Sequence, residues 1–134
     1  MLRDVYSGRL KLYGKEHERT LIAANNYANS LVGIDRFEEA KSLLRETVPV
    51  TQRVLGANHD FTLRMRSSYA HALYNDPSAS LDDLREAVTT LEDAGRTARR
   101  VLGGAYPTAR AIEGVLRKAR AALRAREEAP PGNV

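Results

Sequence analysis

The chain has 134 residues and an apolar fraction of 43%, which is typical of one globular domain and excludes disorder of the whole chain. It contains no cysteine, which excludes a disulfide framework and a thiolate metal site. No apolar run reaches the roughly 18 residues of a membrane span, and the N-terminal stretch is charged where a signal peptide would be apolar. We therefore expect a soluble, cytoplasmic protein without membrane contacts.

Helical spacing of apolar residues runs along the chain, without an alternating strand pattern. The pattern predicts six helices, at residues 2–13, 18–32, 36–55, 60–75, 80–102 and 107–127. The last six residues, 129–134, have the composition of a disordered tail. The sequence thus predicts an all-α fold.

Several polar residues and one proline suggest where these helices begin and bend. Asp35 and Glu38 have the three-residue spacing of a capping box. Ser80 and Asp83 have the same spacing at the start of the fifth predicted helix. Pro49 lies inside the third predicted helix, where it removes a backbone hydrogen bond, so we expect a bend or break just before it.

The chain repeats itself with a period of 42 residues. Between positions 14 and 31, seven of 18 residues are identical to those 42 positions later. The identical pairs are Gly14/Gly56, His17/His59, Thr20/Thr62, Leu21/Leu63, Tyr27/Tyr69, Ala28/Ala70 and Leu31/Leu73. The tetrapeptide "RVLG" at 53–56 recurs at 100–103, a shift of 47. Such periodicity is typical of stacked helical repeats.

A histidine beside an acid in each of the first two joints raises the question of a metal or acid–base site. A zinc site needs three or four converging ligands, whereas His17 and His59 recur once per repeat and Tyr106 stands at the third joint. His71 follows His59 by twelve residues of helix, a rise of roughly 18 Å, which disfavours a shared metal. We therefore interpret His17 and His59 as turn residues that pack or hydrogen-bond at a helix start.

The repeat resembles the tetratricopeptide repeat, in which antiparallel helix pairs cross at small residues. Ala28 and Ala70 occupy that crossing position, Phe37 is the aromatic residue that opens the second helix, and Ala40 follows it. The 42-residue period with "NNYA" and "RFEEA" is similar to the longer repeats of kinesin light chains. The resemblance implies a right-handed superhelical α-solenoid of antiparallel helix pairs.

We expect residues 1–128 to form a single repeat domain. Its predicted parts are the second helix of a partial repeat (1–13), two complete repeats (14–56 and 57–103) and a terminal helix (104–128). In the terminal helix the crossing position falls on Arg117 or Leu116, so that helix is predicted to be a cap or a contact to another element.

The resemblance also implies a concave groove lined by the first helix of each pair, in which side chains bind peptides. Groove positions recur at i, i+3, i+7, i+10 and i+11 of each first helix. Carried onto this sequence, they give the predicted groove residues Ile22, Asn25, Asn29, Val32, Arg64, Ser67, His71, Tyr74 and Asn75. Asparagine can bond a peptide backbone, and Arg64 can meet a carboxylate.

The predicted function is therefore a non-catalytic scaffold that binds a peptide or partner protein, with no cofactor, no metal and no catalytic residues. One alternative is self-association as a homodimer, through apolar stripes on the two end helices or by exchange of helices about a loop such as Tyr74 to Ser80. These stripes comprise Val5, Tyr6, Leu10 and Tyr13 at one end, and Ile112, Leu116, Ala119 and Leu123 at the other. A helical repeat that binds single-stranded nucleic acid is disfavoured, because Asn25 is not repeated in the later copies.

Charge is distributed unevenly along the chain. Residues 96–126 hold nine arginines and lysines against Glu113 alone. Because no aromatic residues are interleaved with these cations, we interpret them as solvated helix faces. An anionic partner at this end of the chain is the alternative.

Overall fold

The computed structural model describes residues 1–128, which form six helices and no strand. The helices are α1 (Leu2–Tyr13), α2 (Glu18–Gly33), α3 (Phe37–Leu55), α4 (Asp60–Asn75), α5 (Leu81–Val101) and α6 (Pro107–Glu127). The all-α prediction is confirmed, and each predicted helix end lies within one residue of the observed end. The predicted disordered tail, 129–134, lies outside the described residues.

The helices pack as a linear array. Each helix contacts the next one along the chain, and α2 contacts α4, which contacts α6. Within residues 1–128, α1 does not contact α3, and α3 does not contact α5. The even-numbered helices are therefore closer together than the odd-numbered ones, so the array curves with α2, α4 and α6 on its inner side. This is the arrangement of a helical-repeat solenoid, as predicted.

Small residues allow the helices to approach closely at the predicted crossings. Ala28 is fully buried in a cluster with Leu44 and Met65, and Ala70 is fully buried against α5 and α6. Phe37 packs against a cluster that contains Ala40, also as predicted. Because each cluster joins consecutive helices, burial of apolar surface holds the array together.

Pro49 does not break α3: of the predicted bend or break near Arg45 to Pro49, the break was wrong, and the bend stays a prediction. The helix is continuous from Phe37 to Leu55 with Pro49 inside it. Pro49 and Arg45 are exposed, so water can bind the Arg45 carbonyl that loses its hydrogen bond. Thr47 and Thr51 are buried on either side of the proline, which keeps the helix packed against its neighbours.

The predicted capping box at Asp35 and Glu38 was also wrong. Asp35 has a φ of 62°, and the N–H of Arg36 donates to the Leu31 carbonyl at 2.8 Å, a Schellman-type closure of α2. Asp35 thus helps to end α2, and α3 begins at Phe37 without a side-chain cap.

The second predicted capping box is confirmed. The Ser80 hydroxyl accepts from the N–H of Asp83 at 3.0 Å, and the Asp83 carboxylate accepts from the N–H of Ser80 at 3.1 Å. These two bonds satisfy backbone donors that would otherwise be free at the start of α5. The residues predicted to cap α5 therefore do cap it, whereas those predicted to cap α3 do not.

A buried ion pair connects α3 to the end of α4. Lys41 Nζ lies 3.2 Å from a carboxylate oxygen of Asp76 and 2.7 Å from one of Glu38, and the Lys41 side chain is only 4% exposed. Burial lowers the pKa of Lys41, but hydrogen bonds to Glu38 and Asp76 outweigh this effect and raise the pKa overall. The ammonium thus stays charged inside the protein.

The two end helices differ in what they expose. On α1, Val5, Leu10 and Tyr13 are exposed, as predicted, because α1 packs against α2 alone. The stripe predicted on α6 is covered: Ile112, Leu116 and Ala119 lie in the largest core cluster with α4 and α5. That part of the self-association prediction was wrong, because α6 inserts its apolar stripe between its two neighbours.

Candidate binding groove

The joints between repeats are built from a glycine and a helix-capping residue. Gly14, Gly56 and Gly103 all have positive φ, between 84° and 99°, a conformation that favours glycine. Nδ1 of His17 accepts from the N–H of Arg19 at 3.0 Å. Nδ1 of His59 accepts from the N–H of Phe61, also at 3.0 Å.

These bonds confirm that the two histidines act at helix starts. Each imidazole replaces the serine or aspartate that usually satisfies a free N–H group at an N-cap. Within residues 1–128, no three His, Cys, Asp or Glu side chains are grouped so that they could hold a metal ion. None of the helices in this part of the chain is both long and apolar enough to cross a membrane.

A cleft of about 470 Å³ opens on the inner side of the array, between α2, α4 and α6. We call it the inner cleft. It brings together four of the predicted groove residues, Asn25, Asn29, Arg64 and Ser67. The other lining residues are Asp60, Ser68, Tyr106, Pro107, Thr108, Ala111 and Ile112. Three consecutive first helices thus contribute to one concave surface.

Asn25 is the most unusual residue of the inner cleft. Its side chain is 5% exposed, and its Oδ1 atom has no hydrogen-bond partner within the described residues. Leaving a buried acceptor unpaired costs about 1–3 kcal/mol. The other such atom in this part of the chain, Thr62 Oγ1, does not line the inner cleft. Because Asn25 lines the cleft and its amide oxygen is unpaired, a ligand that supplies a hydrogen-bond donor would recover this free energy.

The charged groups of the inner cleft differ in how they are engaged. Asp60 accepts a hydrogen bond from the hydroxyl of Thr108, which ties α4 to α6, and it lies in the positively polarised first turn of α4. Arg64 is exposed, and its guanidinium makes no ion pair with any residue of the described chain. The free hydrogen-bonding capacity of the cleft therefore comes from the Arg64 guanidinium and from amide and hydroxyl groups.

Three other predicted groove residues form a separate cluster near the end of α4. The Asn75 amide donates to Nε2 of His71 at 2.8 Å, and the Tyr74 ring lies edge-on to the His71 ring with centroids 5.4 Å apart. Burial lowers the pKa of His71, and the positive charge of Lys118 on α6 lowers it further. The cluster is internally bonded and does not line the inner cleft.

The last two predicted groove residues have different environments. Ile22 is exposed but does not line the inner cleft. Val32 is 7% exposed and packs with Leu31, Ala40 and Ala72, so its side chain belongs to the core. This i+10 position lies near the end of α2, where the chain turns towards α3 on the outer side of the array.

The sequence-based set missed the residues that α6 contributes. Tyr106, Pro107, Thr108 and Ala111 lie in the first turns of α6 and form one wall of the inner cleft. The alignment of His59 with Tyr106 was the available signal, since it places the start of α6 in register with the start of α4. The groove positions could have been carried across that joint.

Comparison with known proteins supports the repeat assignment. Residues 20–60 match the family model of the tetratricopeptide repeat, a segment that covers nearly all of α2, all of α3 and the joint before α4. No curated protein matches the chain. Repeats of this family generally mediate contacts between proteins. The segment from 20 to 60 is thus a tetratricopeptide-type repeat within an all-helical array.

Proposed function

We propose that the chain is a non-catalytic scaffold that binds a peptide, or an extended segment of a partner protein, in the inner cleft. The observation that carries the proposal is the Asn25 amide, which belongs to a residue that lines the cleft and whose Oδ1 is buried without a hydrogen-bond partner within the described residues. A peptide has an N–H group at almost every residue, and such a donor would satisfy the Oδ1 acceptor once the amide turns towards the cleft.

The surrounding side chains suit the same ligand. Asn29 and Ser67 supply further donors and acceptors on α2 and α4, and Arg64 supplies an unpaired guanidinium for a carboxylate. On the opposite wall, Pro107 and Ala111 supply apolar surface. Side-chain hydrogen bonds to the backbone of an extended peptide, with apolar surface for its side chains, would hold such a ligand in the cleft.

We further propose that residues 1–128 form one repeat domain, with complete repeats at 14–56 and 57–103, of the kinesin-light-chain-like class. The 42-residue period and the identities between the first two copies support this assignment. A cytoplasmic location fits the absence of cysteine from the sequence. His71, Tyr74 and Asn75 would extend the surface that contacts a long ligand.

The decisive experiment screens the protein against a peptide library and in pull-downs with wild type and the Asn25→Ala/Asn29→Ala variant. We expect the double variant to lose affinity for the selected peptides by at least about tenfold, or about 1.4 kcal/mol. Asn26→Ala is the matched control, because Asn26 is exposed and does not line the inner cleft. If the double variant retained every partner, the inner cleft would not be the binding site.

Self-association is a second candidate, now restricted to α1. The exposed stripe of Val5, Leu10 and Tyr13 supports it, since clustered apolar residues of this kind often mark an interface. Light scattering over a concentration series tests it, with Val5→Asp as the variant expected to dissociate a dimer. A monomeric wild-type protein at high concentration would remove this candidate.

A further inference from the structure

On α2 and α4, one side of the helix faces the next helix along the chain. The corresponding side of α6 differs in composition and in exposure. Three register positions on each first helix face the helix that follows it. They are Leu21, Ala28 and Leu31 on α2, Leu63, Ala70 and Leu73 on α4, and Arg110, Arg117 and Arg120 on α6. The six residues on α2 and α4 are buried, and the three arginines are exposed.

On α2 and α4, these positions receive a helix. Ala28 packs with Leu44 of α3. Ala70 and Leu73 belong to the cluster that contains Leu91 of α5. The same side of α6 has the geometry to receive a helix, and none of the helices in residues 1–128 covers it.

Beside this side of α6 lies a second cleft, of about 330 Å³, between α5 and α6. We call it the end cleft. It is lined by Arg96, Arg99, Arg117 and Arg120, by Glu92 and Glu113, and by Gly95, Ile112 and Leu116. Four guanidiniums thus face two carboxylates around an apolar floor.

The arginines of this surface are only partly neutralised. Arg99 pairs with Glu113 at 3.0 Å, Arg120 pairs with Glu92 at 2.9 Å, and Arg96 lies 3.6 Å from Asp93. Arg117 lines the end cleft and Arg110 lies two turns before it, and neither has an ion-pair partner within the described chain. The end cleft therefore carries an excess of positive charge above a narrow apolar floor.

We propose that the surface formed by the end cleft and Arg110 binds an acidic amphipathic helix supplied by a partner protein. An apolar helix would bury guanidiniums without partners, which is costly. A helix with carboxylates beside its apolar stripe would instead form charge-assisted hydrogen bonds with Arg117 and Arg110. Its apolar stripe would lie along the narrow apolar floor of the end cleft, where Ile112 and Leu116 are already almost fully buried, so the guanidiniums would supply most of the recognition.

A second copy of this chain does not fit the surface. The unpartnered helix that a second copy offers is α1, which carries Arg3, Arg9 and Lys11 against Asp4. Its excess of positive charge would face the excess of positive charge in the end cleft. Like charges brought together at an interface oppose association, so the charge pattern favours a different, acidic partner.

The probe for this proposal is a synthetic helical peptide of leucine, alanine and glutamate, in which glutamates flank a leucine stripe. Two matched probes replace every glutamate by glutamine or by lysine. Binding is measured by fluorescence polarisation, first at low salt and then at about 0.3 M salt, where screening weakens exposed ion pairs. We expect the glutamate probe to bind at least tenfold more tightly than the glutamine probe.

Variants locate the binding surface. Arg117→Glu should weaken the glutamate probe by at least tenfold and should create affinity for the lysine probe. Arg3→Glu is the matched control, because Arg3 is exposed on α1 at the other end of the array, and it should change nothing. Asn25→Ala/Asn29→Ala should also leave this binding intact, so the result is independent of the inner cleft.

Three results would overturn the proposal. The first is no binding of the glutamate probe at low salt, which would mean that the arginines only keep the end of the array solvated. The second is equal affinity for the glutamate and glutamine probes. The third is tighter binding of a single-stranded RNA oligonucleotide that Arg117→Glu abolishes, which would assign the surface to a nucleic acid.

Discussion

Replacing Asn25 by alanine should weaken peptide binding and leave the protein about as stable as wild type, or more stable. Truncating a buried side chain ordinarily destabilises a protein. Asn25 is different, because its Oδ1 is buried without a donor. The substitution therefore removes an unfavourable polar burial together with some packing.

Three contributions set the expected change in the free energy of unfolding. Removing the unpaired acceptor stabilises the fold by about 1–3 kcal/mol. Alanine is a better helix former than asparagine by about 0.5 kcal/mol. Losing the contacts of three buried heavy atoms costs about 1–2 kcal/mol. The variant should thus lie between about 0.5 kcal/mol less stable and about 2.5 kcal/mol more stable than wild type.

Thermal and urea unfolding followed by circular dichroism measure the change. With an unfolding entropy of about 2.1 cal/mol/K per residue, 1 kcal/mol corresponds to a change in Tm of about 4 °C for this chain. Leu21→Ala in the same helix is the control for ordinary burial, and it should cost about 2–5 kcal/mol. If Asn25→Ala lost more than about 1 kcal/mol, the Oδ1 atom would have to be satisfied in the folded protein.

Three further predictions concern other parts of the array. His59→Ala should cost about 1 kcal/mol in thermal unfolding, because an N-cap acceptor is lost, whereas His59→Asn should restore most of it; equal losses in both variants would argue against capping. Lys41→Met should destabilise the protein by about 2–4 kcal/mol in urea at pH 7, because it leaves the largely buried Asp76 carboxylate without its cation. Folding raises the pKa of Lys41. The contribution of Lys41 to the free energy of unfolding is therefore fully present below the lysine pKa of the unfolded chain and is lost as the pH rises through the higher pKa of the folded protein. A difference in stability between variant and wild type that stayed constant at high pH would contradict this. Lys118→Gln should raise the pKa of His71 towards its ordinary value in an NMR titration without restoring it fully, because burial is the larger cause of the lowering.

The helices could be predicted closely because the sequence marks their ends as well as their faces. Each joint carries a glycine that ends one helix, and the first two carry a histidine that caps the next. The wrong prediction at Asp35 shows the limit of such signals. Asp35 is a residue type that often caps a helix start. Its positive φ instead lets the N–H of Arg36 reach the Leu31 carbonyl, so Asp35 belongs to the end of α2.

The inner cleft was only partly predictable, for a geometric reason. Register positions say which residues on one helix share a face, but the curvature of the array decides which faces meet. Asn25 and Arg64 are therefore brought together as the register implies, whereas Val32 is drawn into the core. Curvature also brings the first turns of α6 into the cleft, and no periodicity within α2 or α4 contains that information.

The two clefts meet at a single side chain. Ile112 of α6 is fully buried and lines both the inner cleft and the end cleft. Its neighbours on α6 differ between the two clefts: Thr108 and Ala111 line the inner cleft, whereas Glu113 and Arg117 line the end cleft. Because close-packed cores shift as units, a helix seated in the end cleft can influence a peptide in the inner cleft only by moving α6. The bond between Thr108 and Asp60 opposes such a movement at the inner cleft, so the two proposed surfaces should act largely independently.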